Sequence, residues 1–216
     1  MAFDQAHQLQ LEILNSRIAS RLKRDVVLFL EHPAVFTMGR KGGCHNLKVS
    51  PSFLADAGIA LHHVERGGDI TFHGPGQLVV YPIMDLNAMV GGVLGFVEKL
   101  EEIMIRTAAD WGISATRNPR NRGVWVDDKK IGSIGIAVRK GIAFHGIALN
   151  VDLSLEPYTW INPCGLEGIG MTTMNLEGDK PASVAEVKTI LKSHLTNIFS
   201  ITLEDITMKS LNAMMK

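Results

Sequence analysis

The strongest constraint on the fold is that short β-type stretches come in blocks instead of alternating with helices. Residues 59–64, 70–72 and 78–83 follow one another across Arg66-Gly67-Gly68 and His73-Gly74-Pro75-Gly76. A second block, residues 123–126, 131–138 and 142–151, is punctuated by Asp127-Asp128-Lys129-Lys130 and Arg139-Lys140-Gly141, which predicts an antiparallel meander. A doubly wound parallel sheet requires strand and helix to alternate, so it is disfavoured. The pattern predicts an α/β fold in the α+β sense, with a mixed or mostly antiparallel sheet and helices packed against it.

Three helical patterns frame these blocks. Ala6, Leu9, Ile13, Leu14, Ile18 and Leu22 recur at helical spacing, which predicts a first helix over residues 2–22. Val93, Phe96, Val97, Leu100, Met104 and Ala108 share a face and predict a helix over 93–111, with Gly112 as its stop. Ser183 caps a last helix over 183–199, and Ser50-Pro51 opens a short one that Gly58 ends. The apolar run at 26–30 predicts a buried strand, and residues 157–180 show no period. A chain of 216 residues, 46% hydrophobic and without a repeat or low-complexity linker, fits one domain over 1–216.

Charge and cysteine usage remove several function classes. Lys+Arg and Asp+Glu both number 22, so no global positive excess is available for a nucleic-acid backbone. The Met1-Ala2-Phe3-Asp4-Gln5 start has no basic-then-apolar signal and no apolar run reaches bilayer length, so a cytoplasmic protein without a membrane partner is expected. Cys44 and Cys164 lie far apart and outside any metal spacing, so two free thiols and no metal are expected. Gly-Lys never occurs, no Gly-x-Gly-x-x-Gly opens a helix, and Gly-x-Ser-x-Gly is absent, which leaves phosphate-loop, dinucleotide and serine-hydrolase chemistry unsupported.

What remains is a set of glycine-dense stretches carrying polar residues: 66–77, 133–135, 145–150 and 162–170. Each alone is an ordinary turn, but together they hold more turn chemistry than hairpins need. Cys164 follows Asn162-Pro163 in a segment without period, which puts its sulfur on a loop. A nucleophilic cysteine needs its thiolate stabilised by a nearby cation or base, and Lys130, His73 and His145 are the candidates. Residue patterns by themselves do not choose among them.

Four motifs resemble the octanoyltransferases of protein lipoylation. They are Arg66-Gly67-Gly68-Asp69-Ile70-Thr71-Phe72-His73-Gly74-Pro75-Gly76-Gln77, Lys130-Ile131-Gly132-Ser133-Ile134-Gly135, Phe144-His145-Gly146-Ile147-Ala148-Leu149-Asn150-Val151 and Ile161-Asn162-Pro163-Cys164-Gly165. His32-Pro33-Ala34-Val35-Phe36-Thr37-Met38-Gly39-Arg40 is similar to that family's early motif, so the resemblance covers about residues 3–175. It implies the fold of lipoate and biotin protein ligases: a large mixed sheet and a smaller sheet, flanked by helices, around an acyl pocket. Cys164 would be the acyl-thioester nucleophile and Lys130 its activator, with Arg66, Gly67, Gly68, Asp69, Ile70, Thr71, Phe72, His73, Ser133, Ile134, Gly135, Gly146, Ile147 and Ala148 lining the acyl site.

The implied reaction moves octanoyl from octanoyl-acyl carrier protein through Cys164 to the ε-amine of a lipoyl-domain lysine, in a 2-oxoacid dehydrogenase complex or the glycine cleavage H protein. It needs neither ATP nor any other cofactor. The resemblance carries two departures: the chain starts at the first helix, without most of a strand that precedes it in relatives, and Gly132 replaces a larger residue, which would widen the pocket. Two rival readings are an ATP-dependent lipoate ligase, which would not need Cys164, and a non-catalytic acyl-binding module. Residues 117–140 hold seven basic residues against Asp127 and Asp128, which predicts a basic docking face for an acidic carrier protein.

Overall fold

In a computed structural model of the chain, the described residues are 1–87, 89–119, 121–165 and 168–216, with Cys44 described by its backbone alone. Ten strands and six helices are laid down in chain order among them. Helix α1 (Phe3–Ile18) is followed by β1 (Val26–Leu30), β2 (Val35–Met38), α2 (Pro51–Asp56), β3 (Ala60–His63), β4 (Ile70–His73) and β5 (Gln77–Asp85). Helix α3 (Gly92–Ala109) leads to β6 (Thr116–Asn118), β7 (Asn121–Val126), β8 (Lys129–Arg139) and β9 (Ile142–Asn150). The chain closes with β10 (Gly170–Met171), α4 (Met174–Glu177), α5 (Val184–Phe199) and α6 (Met208–Met214).

The strands form two sheets. The larger runs β1-β5-β9-β8-β7-β6 with β10 paired to β8, and the smaller runs β3-β2-β4. Every neighbour is antiparallel except β10 on β8 and β3 on β2. The meander expected over residues 123–151 is therefore present as β7-β8-β9, with Val126 opposite Lys129 and Arg139 opposite Ile142.

Helices cover the large sheet on both faces, and this explains why β5 and β9 lack a polar-apolar alternation: both faces of those central strands are buried. On one face α3 and α5 pack Leu100, Ile103, Met104, Leu191 and Leu195 against Val80, Ile147 and Leu149. On the other, α1 and Leu211 of α6 cover Val79, Tyr81, Phe144 and Ala148. Each fully buried leucine contributes about 1.5–3 kcal/mol by transfer. The small sheet has its own core of Phe36, Phe72, Leu153, Tyr158 and Ile161.

Several expectations shift. The run at Val26–Leu30 is an edge strand, paired on one side with β5, and all five residues are partly exposed instead of buried. Helix α1 ends at Ile18, before the expected residue 22, because Ser20 takes φ 58° and the amides of Arg21 and Leu22 both turn back to the Ser16 carbonyl. Strand β2, unanticipated from the sequence, is four consecutive buried residues in the middle of the small sheet. Residues 157–180, expected to be irregular, contain β10 and α4.

Candidate active site

Lys130 lies near the start of β8, opposite Trp125 on β7 and beside Met171 on β10. It is 1% exposed, so its ammonium must find acceptors inside the protein. It finds three: Asn121 Oδ1, the Arg122 carbonyl at 2.8 Å and Cys164 Sγ at 3.2 Å. Three acceptors match the three protons of an ammonium. The Trp125 ring, 5.4 Å from Nζ, adds a cation–π contact.

Helix α3 supports this arrangement from behind. Buried Glu101 accepts a hydrogen bond from the Gly123 amide at 3.1 Å and pairs with Arg122 and Arg117, each at 3.3 Å. The start of β7, whose side chain and carbonyl hold Lys130, is thereby anchored. Gly123 has φ 123°, and a Cβ there would lie 2.6 Å from Lys130 Cε, so only glycine lets the lysine pass.

Cys164 reaches the lysine from a different part of the chain. It sits in a one-turn 3-10 segment, Pro163–Gly165, with φ 59° and ψ 18°, left-handed values that are uncommon for a residue with a side chain. The segment is held from outside: the Asn162 amide donates to the Asn46 carbonyl at 2.8 Å, and Asn46 Nδ2 donates to Asp69 Oδ2 at 2.7 Å. After it, β10 locks onto β8, and the Thr172 amide donates to the carbonyl of Lys130 itself.

Cys164, with Lys130 buried behind it, opens onto a cavity of about 490 Å3, a size ordinary for a small-molecule site. Of the expected lining residues, Arg66, Gly67, Gly68, Asp69, Ile70, Thr71, His73, Ser133, Ile134, Gly135, Gly146, Ile147 and Ala148 face it together with Cys164. Phe72 does not, because its side chain packs in the core of the small sheet against Phe36 and Tyr158. Gly132 does not widen the cavity either: a Cβ there would meet Met104 Sδ at 2.7 Å, so the glycine makes room for a core methionine of α3. Lys41 and Asn121 also line the cavity and carried no sequence signal, and Thr37, Val97 and Arg122 line it although the sequence pointed to them only as part of an early motif, a helix face and a basic stretch.

Arg66 is buried, spanning the cavity wall between the two sheets. Nη2 donates to the Thr37 carbonyl at 2.7 Å and to Thr37 Oγ1 at 2.9 Å, and Nη1 to the Gly67 carbonyl at 3.0 Å. Its aliphatic stem crosses Gly135, where a Cβ would lie 2.8 Å from Arg66 Cδ. From Thr37 a directed chain of hydrogen bonds continues. The hydroxyl faces His73 Nε2 at 3.3 Å, His73 Nδ1 faces Gln77 Oε1 at 2.7 Å, and Gln77 Nε2 donates to Asn150 Oδ1 at 2.9 Å. The amide oxygen can only accept, so His73 carries a proton on Nδ1. Burial drives its pKa down to about 3.

His73 is therefore a structural member of a buried network and not the partner of the thiol. His145 is also directed elsewhere: its Nε2 lies 3.7 Å from Glu65 Oε2. Of the three candidate cysteine partners, Lys130 is the one in contact with Cys164.

The expected basic face is largely neutralised by acids that the local count left out. Arg117 pairs with Glu102 at 2.7 Å and with Glu101, Arg122 with Glu101, Lys129 with Glu177 at 3.4 Å, and Arg139 with Glu65 at 3.5 Å. Lys130 is buried. Arg120 and the side chain of Cys44 lie outside the described residues. No helix of the described residues is long and apolar enough to cross a membrane.

Comparison with known proteins agrees with this architecture. Residues 4–196 match the Lipoyl protein ligase A/B catalytic domain. The chain is 48% identical over 192 residues to the octanoyltransferase of Desulfotalea psychrophila, covering 88% of this chain and 86% of that one. It is 41% identical over 202 residues to the octanoyltransferase of Syntrophobacter fumaroxidans, covering 94% and 89%. Among solved structures, lipoate-protein ligase A bound with ATP superposes with a TM-score of 0.76 at 17% identity, covering 94% of this chain and 86% of the other. The bi-partite lipoate protein ligase of Thermoplasma acidophilum gives 0.74 at 18% identity, covering 99% and 87%. The two structural likenesses establish the shared fold, and the family match with the curated relatives establishes that the chain belongs to the lipoyl protein ligase A/B catalytic-domain family.

Proposed function

We propose that the chain is an octanoyltransferase that carries octanoyl on Cys164 from an acyl-carrier-protein thioester to the lysine of a lipoyl domain, with residues 1–216 acting as one catalytic unit in the cytoplasm. The observation that carries the reading is the 3.2 Å contact between Lys130 Nζ and Cys164 Sγ at the edge of the cavity. The relatives named octanoyltransferase support the acyl group, and the lipoate protein ligase described together with its E2 lipoyl domain as an archaeal lipoylation system supports the acceptor class.

The reaction follows from the pair. Lys130, held as an ammonium by its three acceptors, stabilises the Cys164 thiolate, which is the nucleophilic form. The thiolate attacks the donor carbonyl, the carrier sulfur leaves, and Lys130 gives it a proton. Lys130 is then neutral beside an acyl-cysteine. The acceptor amine attacks that thioester, passes its proton to Lys130, and expels Cys164 as a thiolate. The first exchange, thioester to thioester, is nearly balanced and the second, thioester to amide, runs downhill, so no nucleotide is consumed.

Incubation with an octanoyl-carrier thioester should add the mass of one octanoyl group to the intact protein, on the peptide containing Cys164. Cys164→Ala should stay unlabelled and be unable to modify a lipoyl domain. Label on Cys44, or octanoyl transfer by Cys164→Ala, defeats the assignment. ATP-dependent lipoate attachment by that same variant would favour the ligase reading.

A further inference from the structure

We propose that His7, Glu65 and His145 form a divalent-cation site of the zinc class, distinct from the Cys164–Lys130 pair although His145 lines the same cavity as Cys164, and independent of the acyl-transfer reading. The three residues come from distant parts of the chain: His7 from α1, Glu65 from the segment after β3, and His145 from β9. One ligand atom from each lies within 4.8 Å of the other two. His7 Nε2 is 3.1 Å from Glu65 Oε2, and His145 Nε2 is 3.7 Å from that same oxygen. Bonds of about 2.0–2.1 Å to a tetrahedral ion would separate its ligands by about 3.3–3.4 Å, and both imidazole nitrogens stand within about 0.4 Å of that spacing from Glu65 Oε2.

The second observation is an orphaned atom. His145 is 2% exposed, yet its Nε2 has no hydrogen-bond partner while pointing toward Glu65. A buried imidazole nitrogen left unpaired is costly, and a cation would use its lone pair. Its backbone is also pinned, because the His145 amide donates to Gln10 Oε1 at 2.8 Å on the same helix that carries His7.

The donor set decides the class of ion. Two imidazoles and one carboxylate suit zinc, cobalt or nickel better than magnesium or calcium, which prefer oxygen alone. Arg139 holds the other carboxylate oxygen, Oε1, at 3.5 Å, so Oε2 is the ligand and the site has three protein ligands with a fourth position for water. Bound there, the ion would clip α1 and β9 to the segment that carries Arg66, whose guanidinium walls the acyl cavity.

Cobalt(II) is the probe, titrated into chelator-treated full-length protein and followed by its visible ligand-field bands and by the thermal midpoint. We expect one equivalent bound without thiolate charge-transfer absorption, displaced by zinc. At a hundredfold excess over Kd, zinc should raise the midpoint by about 5–10 °C. His7→Ala removes a partly exposed ligand, and Glu65→Gln keeps the shape of the carboxylate. Each should weaken cobalt binding by at least about a hundredfold and abolish the zinc-dependent rise. Absence of cobalt binding, a thiolate band, or unchanged affinity in both variants overturns the site, whatever the outcome of the acylation assay.

Discussion

At the scale of single residues, the proposed acyl transfer gives Lys130 two separable duties: its charge stabilises the thiolate, and its neutral form takes the proton of the acceptor amine. Arginine keeps the first duty and loses the second, since it does not deprotonate in the working range. Alanine loses both and leaves Asn121 Oδ1 and the Arg122 carbonyl without their donor. We expect Lys130→Arg to retain more of the acyl-enzyme step than Lys130→Ala, with both slowed by about a hundredfold or more in transfer to the acceptor, the usual scale of general-base loss. Single-turnover rates of the two half-reactions check this, and wild-type rates for Lys130→Ala in both would remove the lysine from the mechanism. Cys164 and Lys130 were legible as residue types, a loop thiol and a lysine opening a strand, but only the family resemblance, and no residue pattern, paired them. The partners that hold the lysine, Asn121 and the Arg122 carbonyl, were also invisible, because only the folding of β7 against β8 brings them to Nζ.

At the scale of elements, the site depends on three strand ends and one turn being fixed relative to one another. Helix α3 sets β7 through Glu101, β7 sets Lys130, and β10 sets the loop of Cys164 on β8. Gly123 is where this chain of support is tightest, since a methyl group there would also come within 2.4 Å of the Gly132 carbonyl on the neighbouring strand. Gly123→Ala should therefore cost about 2 kcal/mol or more in stability, from overpacking and from a φ that alanine resists. It should also slow acyl-enzyme formation in the fraction that remains folded. Urea unfolding together with the single-turnover rate tests both, and an alanine variant as stable and as fast as wild type would show that the lysine does not need this gap. The long helices were readable because their apolar stripes bury one face each. Strand β2 was not, because Val35, Phe36, Thr37 and Met38 are all buried and show no period of two.

Across the whole molecule, the two sheets meet along the buried network that runs from Arg66 through Thr37, His73 and Gln77 to Asn150, so protonating His73 would break the contact between them. Its folded pKa of about 3 lies below the ordinary 6.5. The unfolded chain thus binds the extra proton between these values, and stability rises with pH across that window. The contribution is complete above about pH 6.5 and on the order of 4 kcal/mol is lost by about pH 3. His32, lowered in the same direction by burial, adds to the slope. Thermal midpoints between about pH 4 and 7 should fall with acid more steeply for wild type than for His73→Asn, and parallel curves would exclude His73 as the titrating group. Sequence by itself determined the blocks of strands, the three long helices and the glycine-dense stretches that resemble one family, because periodicity and turn chemistry act between near neighbours. Tertiary structure alone decided how Lys130 is held against the thiol, that Phe72 faces a core and not the cavity, and that Arg117, Arg122, Lys129 and Arg139 are answered by Glu65, Glu101, Glu102 and Glu177. Those contacts join residues far apart in the chain, and nothing in local spacing encodes the register that brings them together.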